Sequence, residues 1–108
     1  MNKEFNCPVE ATISLIGGKY KSVILFHLMG KTLRYSELHK KIPKATDKML
    51  AQQLRELEKD GLIKRTVYPV VPPKTEYNLT EFGESLSPIL NAMCNWGESY
   101  LNLSLIHI

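Results

Sequence analysis

Between Thr46 and Asp60 the chain reads TDKMLAQQLRELEKD, with amides and cations at helical spacing. At about 100° per residue, Lys48, Gln52, Arg55 and Lys59 fall opposite Leu50, Leu54 and Leu57. The leucines supply an anchoring face, and the opposite face carries groups that can read base edges. A glutamine can pair with adenine at two points and an arginine with guanine, each contact giving about 1–3 kcal/mol of discrimination. Lys48 and Gln52, in the N-terminal half, are the first candidates for base contact, with Gln53 at the edge of the same face. Arg55 and Lys59 lie further along and suit phosphate or solvent. Lys44 and Thr46 stand at the helix start, where free backbone N–H groups and the positive end of the dipole favour a phosphate.

A second basic group follows. Lys64 and Arg65 lie in an alternating, strand-like stretch from Leu62 to Tyr68, and Lys74 follows the run Pro69-Val70-Val71-Pro72-Pro73. Proline cannot donate to a strand ladder, so this run is the tip of a hairpin. Pro72 and Pro73 stiffen it and lower the entropy lost when it settles on a nucleic-acid backbone. Arg34 and Ser36, at the head of an earlier helix, are further phosphate candidates. From Lys31 to Lys74 there are eleven Lys and Arg against five Asp and Glu; the rest of the chain has three against six. A basic centre between acidic ends suits a polyanion. A solvated helix face and a solubilising hairpin would carry the same residue types, so the case rests on their combination.

Reactive chemistry is poorly represented. Cys7 and Cys94 are the only cysteines, and His27, His39 and His107 show no ligand spacing, so neither a metal nor a cofactor is expected. No Cys/His constellation suggests an enzyme. His27 sits in an apolar helical stretch and reads as a packed histidine. Cys7 stands at a helix start, where the dipole favours a thiolate, and Lys3 is near in sequence. Cys94, next to the apolar face of the final helix, reads as an inert core residue.

These residues need elements to position them. Asn6-Cys7-Pro8 opens a helix, with Pro8 suited to the first helical position, and Gly17-Gly18 stops it. A second helix runs from about Lys19 to Met29, apolar on nearly every side and expected to be buried. Thr32–Tyr35 is a short extended piece. Ser36 can cap a helix carrying Leu38 and Ile42, Pro43-Lys44-Ala45 is a turn, and Thr46 caps the longer helix that Gly61 closes. Two strands flank the proline-rich tip. Thr80 caps a final helix in which Pro88 is expected to produce a kink. The result is a mainly α chain with a small β hairpin: a winged helix-turn-helix with additional N- and C-terminal dimerisation helices. We expect a single domain over 1–108, with helix-turn-helix and wing at about 31–79 and core or dimerisation helices at about 7–29 and 80–103.

Several segments resemble the HxlR family of regulators, related to the MarR group. They are Cys7-Pro8-Val9-Glu10, Ile16-Gly17-Gly18-Lys19-Tyr20-Lys21, Leu33-Arg34-Tyr35-Ser36-Glu37-Leu38, Lys48 through Ile63, Tyr68 through Thr80, and Trp96-Gly97. Tyr20 departs from the family's usual tryptophan. The resemblance implies a winged helix that binds a roughly palindromic duplex DNA operator as a homodimer. It also implies a possible thiol or oxidant response at Cys7, since some members sense through a cysteine placed there. Ile13, Ile16, Leu86, Ile89, Leu90, Met93, Trp96 and Tyr100 are the expected dimer interface, being more apolar side chains than one small domain needs to bury.

A protein–protein adaptor on the same fold is the main alternative, and a small-molecule effector at the dimer interface is compatible with either. Hydrophobic residues at 44% and charged residues at 23% exclude disorder of the whole chain. No apolar run reaches the roughly 18 residues of a membrane span, and the first residues do not resemble an export signal, so the expected location is the cytoplasm.

Overall fold

A computed structural model describes residues 4–106, with side chains described as far as Leu103. The elements are α1 (Pro8–Ile16), α2 (Lys21–Leu28), β1 (Leu33–Arg34), α3 (Tyr35–Lys41), α4 (Asp47–Lys59), β2 (Ile63–Tyr68), β3 (Lys74–Leu79), α5 (Glu81–Glu84) and α6 (Ser87–Ile106). The three strands form one antiparallel sheet in the order β1-β3-β2. Helices dominate, and the sheet is small, as expected for a winged helix-turn-helix.

The core is built where α2, α3 and α4 meet the sheet. Ile24, Leu25 and Leu28 of α2, Leu38 of α3, Leu50, Leu54 and Leu57 of α4, and Leu62, Ile63, Tyr77 and Leu79 of the sheet region are buried together. The leucines of α4 recur at the spacing that places them on one helix face, so burying them fixes how α4 rotates. Two left-handed glycines turn the chain between elements: Gly30 after α2 and Gly61 after α4, at φ of 66° and 79°. Thr46 caps α4 as expected, its hydroxyl accepting from the Met49 N–H at 3.1 Å.

Four expectations about local structure are corrected. Helix α2 begins at Lys21 rather than Lys19, and it is not buried all round: Val23 is exposed and His27 is half-exposed. Ser36 does not cap α3. The helix starts two residues earlier, with Arg34 at the cap position and the Glu37 carboxylate accepting the Arg34 N–H at 2.8 Å. Thr80 caps the short α5 rather than the long terminal helix, accepting from the Gly83 N–H at 3.0 Å. Its hydroxyl donates to the Gly61 carbonyl at 2.6 Å, which ties α5 to the corner after α4. Pro88 therefore falls in the first turn of α6, where its missing N–H costs nothing, and is not a mid-helix kink.

Candidate nucleic-acid interface

The turn between α3 and α4 is pinned by a cluster around Asp47. The Tyr35 hydroxyl donates to Asp47 Oδ1 at 2.8 Å, and His39 Nδ1 lies 3.2 Å from the same oxygen. The other ring nitrogen of His39 bonds the Ala45 carbonyl at 2.8 Å. Partial burial and the bond to Asp47 push the Tyr35 phenol up to about 12, so it stays a donor at any ordinary pH. Sequence reasoning missed this cluster, because Tyr35 and Asp47 are twelve residues apart and nothing in the sequence pairs them.

Helix α4 then presents its polar side outward. Lys48, Gln52, Arg55 and Lys59 are all exposed, opposite the buried leucines. Lys44 and Thr46 are exposed at its start, with the Thr46 hydroxyl engaged in the cap. Gln53 is a correction: it is only 7% exposed, and its Oε1 accepts the Tyr20 N–H at 2.9 Å. It belongs to the packing between α2 and α4 and cannot reach DNA. Gly18 makes room for it, since a Cβ there would lie 2.8 Å from both polar atoms of the Gln53 amide. One turn on, Lys21 of α2 is buried and reaches Glu56 of α4, Nζ to Oε1 at 2.7 Å. The Gln52 amide donates to the other oxygen, Oε2, at 3.2 Å. The bonds from Lys21 and then Gln52 hold the Glu56 carboxyl below its ordinary range.

The wing is the β2–β3 hairpin, its ladder ending at the pair Tyr68 and Lys74, with residues 69–73 exposed beyond it. Lys74 Nζ lies 4.6 Å from the Tyr68 ring centroid and 3.7 Å from Glu76 Oε2, so its charge is partly engaged within the wing. A hydrogen bond to Glu76 raises the Tyr68 phenol above its ordinary value. Lys64 and Arg65 are both exposed but, as neighbours on a strand, point to opposite faces. Arg65 pairs with the buried Tyr77 and lines a cleft against Arg55 and Glu58 of α4. Arg34 and Ser36 line an open groove with Tyr68, Val71 and Lys74. The expected cations thus stand on β1, the α3–α4 turn, α4 and the wing: Arg34 and Lys74 share one groove, Arg55 and Arg65 another, and Lys64 points to the opposite face of the hairpin from Arg65.

The expected dimer residues divide. Ile16 and Leu90 are corrections, at 7% and 2% exposed, because each packs into the chain's own core. Leu86 is half-buried against that core. Ile13, Ile89, Met93, Trp96 and Tyr100 are exposed, the last two stacked with centroids 5.6 Å apart. Val9, Leu101 and Leu103 are exposed as well, Val9 and Leu103 at the spacing that continues the apolar faces of their helices. Cys7 occupies the cap position of α1 and is exposed; Cys94 is half-exposed in a small apolar groove with Val23, Phe26 and Met93; both are free thiols. Lys3 lies outside the described residues.

A helix-turn-helix followed by a hairpin wing, with exposed cations on both, defines a winged-helix regulator of transcription. The chain belongs to the HxlR-like helix-turn-helix family, whose model matches residues 15–104. It is 55% identical over 100 residues to the uncharacterized HTH-type transcriptional regulator YtcD of Bacillus subtilis strain 168, covering 93% of this chain and 79% of that protein. Among solved structures it is similar to the redox regulator HypR in its oxidised form, with TM-score 0.82 and 50% identity over 86% of this chain and 96% of that one. It is also similar to a MarR-family regulator from Porphyromonas gingivalis W83, with TM-score 0.84 and 37% identity over 91% and 96%. The relatives are transcriptional regulators, not enzymes. Among the described residues no helix is long and apolar enough to cross a membrane.

Proposed function

We propose that the protein binds a roughly palindromic operator in duplex DNA as a homodimer, reading base edges with Lys48 and Gln52. The observation that carries this reading is the division of α4: leucines locked into the core on one side, exposed amide and cationic side chains on the other. A recognition helix needs both faces, one to be held and one to enter the major groove. Arg34, Ser36, Lys44, Thr46, Arg55, Lys64, Arg65 and Lys74 supply phosphate contacts around it, Arg65 from the side facing α4. The homodimer uses the apolar side chains that α1 and α6 leave exposed. Two copies place two recognition helices on successive half-sites about 34–36 Å apart.

Cys7 is the proposed control point. It is an exposed thiol at the head of α1, the helix whose Val9 and Ile13 are exposed apolar side chains. Oxidation there would act on the dimer and so on the spacing of the recognition helices. That HypR is known in both oxidised and reduced forms supports this reading.

A gel shift on the DNA upstream of the protein's own gene, across a salt series, tests both parts. Competitor-resistant binding is expected, weakening steeply with salt, and failing in Lys48→Ala/Gln52→Ala. A mild thiol oxidant is expected to change wild-type binding and leave Cys7→Ser unaffected. Binding insensitive to salt and to those substitutions would favour a protein adaptor; equal oxidant responses in wild type and Cys7→Ser would remove Cys7 from the mechanism.

A further inference from the structure

Given the DNA-reading role of α4 proposed above, on which this rests, we propose that Glu56 is the positioning residue that fixes which way the Gln52 amide faces. Lys21 anchors Glu56, and the half-site therefore demands adenine where Gln52 docks. A free glutamine amide can turn over and present either its oxygen or its nitrogen to a base. Here it cannot do so without loss. Glu56 lies one turn beyond Gln52 on the same helix, and its Oε2 is 3.2 Å from Gln52 Nε2. An ionised carboxylate only accepts hydrogen bonds, so the nitrogen of Gln52 must face it. Glu56 is kept ionised and in place by Lys21, whose side chain is 10% exposed and whose ammonium sits 2.7 Å from Oε1. A charge so withdrawn from water needs that partner. Each carboxylate oxygen is thus assigned to one neighbour.

One N–H of the Gln52 amide is spent on Glu56. With the N–H trans to Oε1 turned to Glu56, the cis N–H and Oε1 remain side by side on one edge. That edge is a donor next to an acceptor, the complement of adenine N7 and N6 in the major groove. Turning the amide over would set its oxygen against the carboxylate. Glu56 and Lys21 need not touch DNA; they act through Gln52.

The test is base selection from a random-sequence duplex pool, followed by titration of single-base variants of the selected operator. Wild type is expected to prefer adenine at one position per half-site by at least about fivefold, and Gln52→Ala identifies that position by flattening it. In Glu56→Gln, Lys21 takes the new amide oxygen, the new NH2 group faces Gln52, and the Gln52 amide reverses. The adenine preference at that position is expected to fall to about twofold or less. Affinity for unrelated duplex should be unchanged or higher, since a negative charge has gone. Lys21→Met, with Glu56 intact, is a second variant expected to weaken discrimination at the same position and no other. Retained adenine preference in Glu56→Gln overturns the proposal, as does a Gln52→Ala variant that flattens no position. Failure of wild type to select any sequence overturns instead the DNA-binding reading itself.

Discussion

Helices α4 and α6 both carry many large apolar side chains, and the fold treats them in opposite ways. In α4 the apolar residues at Leu50, Leu54 and Leu57 are all buried, and what remains outside is amide and charge. In α6, among the described side chains, only Leu90 is buried, while Ile89, Met93, Trp96, Tyr100, Leu101 and Leu103 stand exposed. A contiguous apolar surface of this kind on a small protein marks an interaction site. The first pattern is satisfied within one chain; the second needs something from outside it. The same helical periodicity therefore closes a core in one place and leaves an apolar face exposed in the other.

The sharpest way to break that contrast is to truncate one leucine in each helix. Leu57→Ala removes a fully buried side chain and is expected to cost about 2–5 kcal/mol in urea unfolding. Leu101→Ala, on the exposed side of α6, should cost under about 0.5 kcal/mol in a monomeric background. Equal costs would mean that α6 is packed within the chain after all. Next in size, Met93→Asp/Trp96→Asp should yield monomers by sedimentation velocity and lower operator affinity by about a hundredfold, because linked half-site binding is lost. A dimer that survives those charges would place the interface elsewhere. Gly83→Ala tests the brace behind the wing: an added Cβ collides with the Leu62 backbone carbonyl, and a loss of about 1–3 kcal/mol is expected in thermal melting. Thr46→Ala removes the α4 cap and should cost about 1 kcal/mol.

The smallest effect is one of pH. Burial, with Lys41 and Lys31 nearby, holds His27 below its ordinary 6.5. The fold thus favours neutral imidazole, and its contribution is present above pH 6.5 and lost as pH falls through the lowered value. His27→Asn should flatten the melting-temperature profile on that acid side only.

Much of α4 was legible from the sequence because burial and periodicity agree there. The leucine stripe, the Thr46 cap and the glycine after the helix are local signals, each with a local cause. Gln53 was misread because its side chain says nothing of a partner 33 residues away, although its angle beside Leu54 and Leu57 hinted at burial. The pairing of Lys21 with Glu56 was invisible for the same reason. The opposite facing of Lys64 and Arg65, by contrast, was available from the two-residue period of a strand. Ile16 and Leu90 were assigned to the interface because apolar excess can be counted in a sequence, whereas which members of the excess turn inward depends on where α1 and α6 cross the rest.

The central claim is that the outward face of α4 reads sequence. It is tested most directly by the ratio of affinities for the selected operator and a scrambled duplex, measured by fluorescence anisotropy at physiological salt. Wild type should discriminate by at least about a thousandfold, and Lys48→Ala/Gln52→Ala should lose most of that ratio while still binding unrelated DNA. A ratio near one in wild type, or one left intact by the double substitution, would contradict the account.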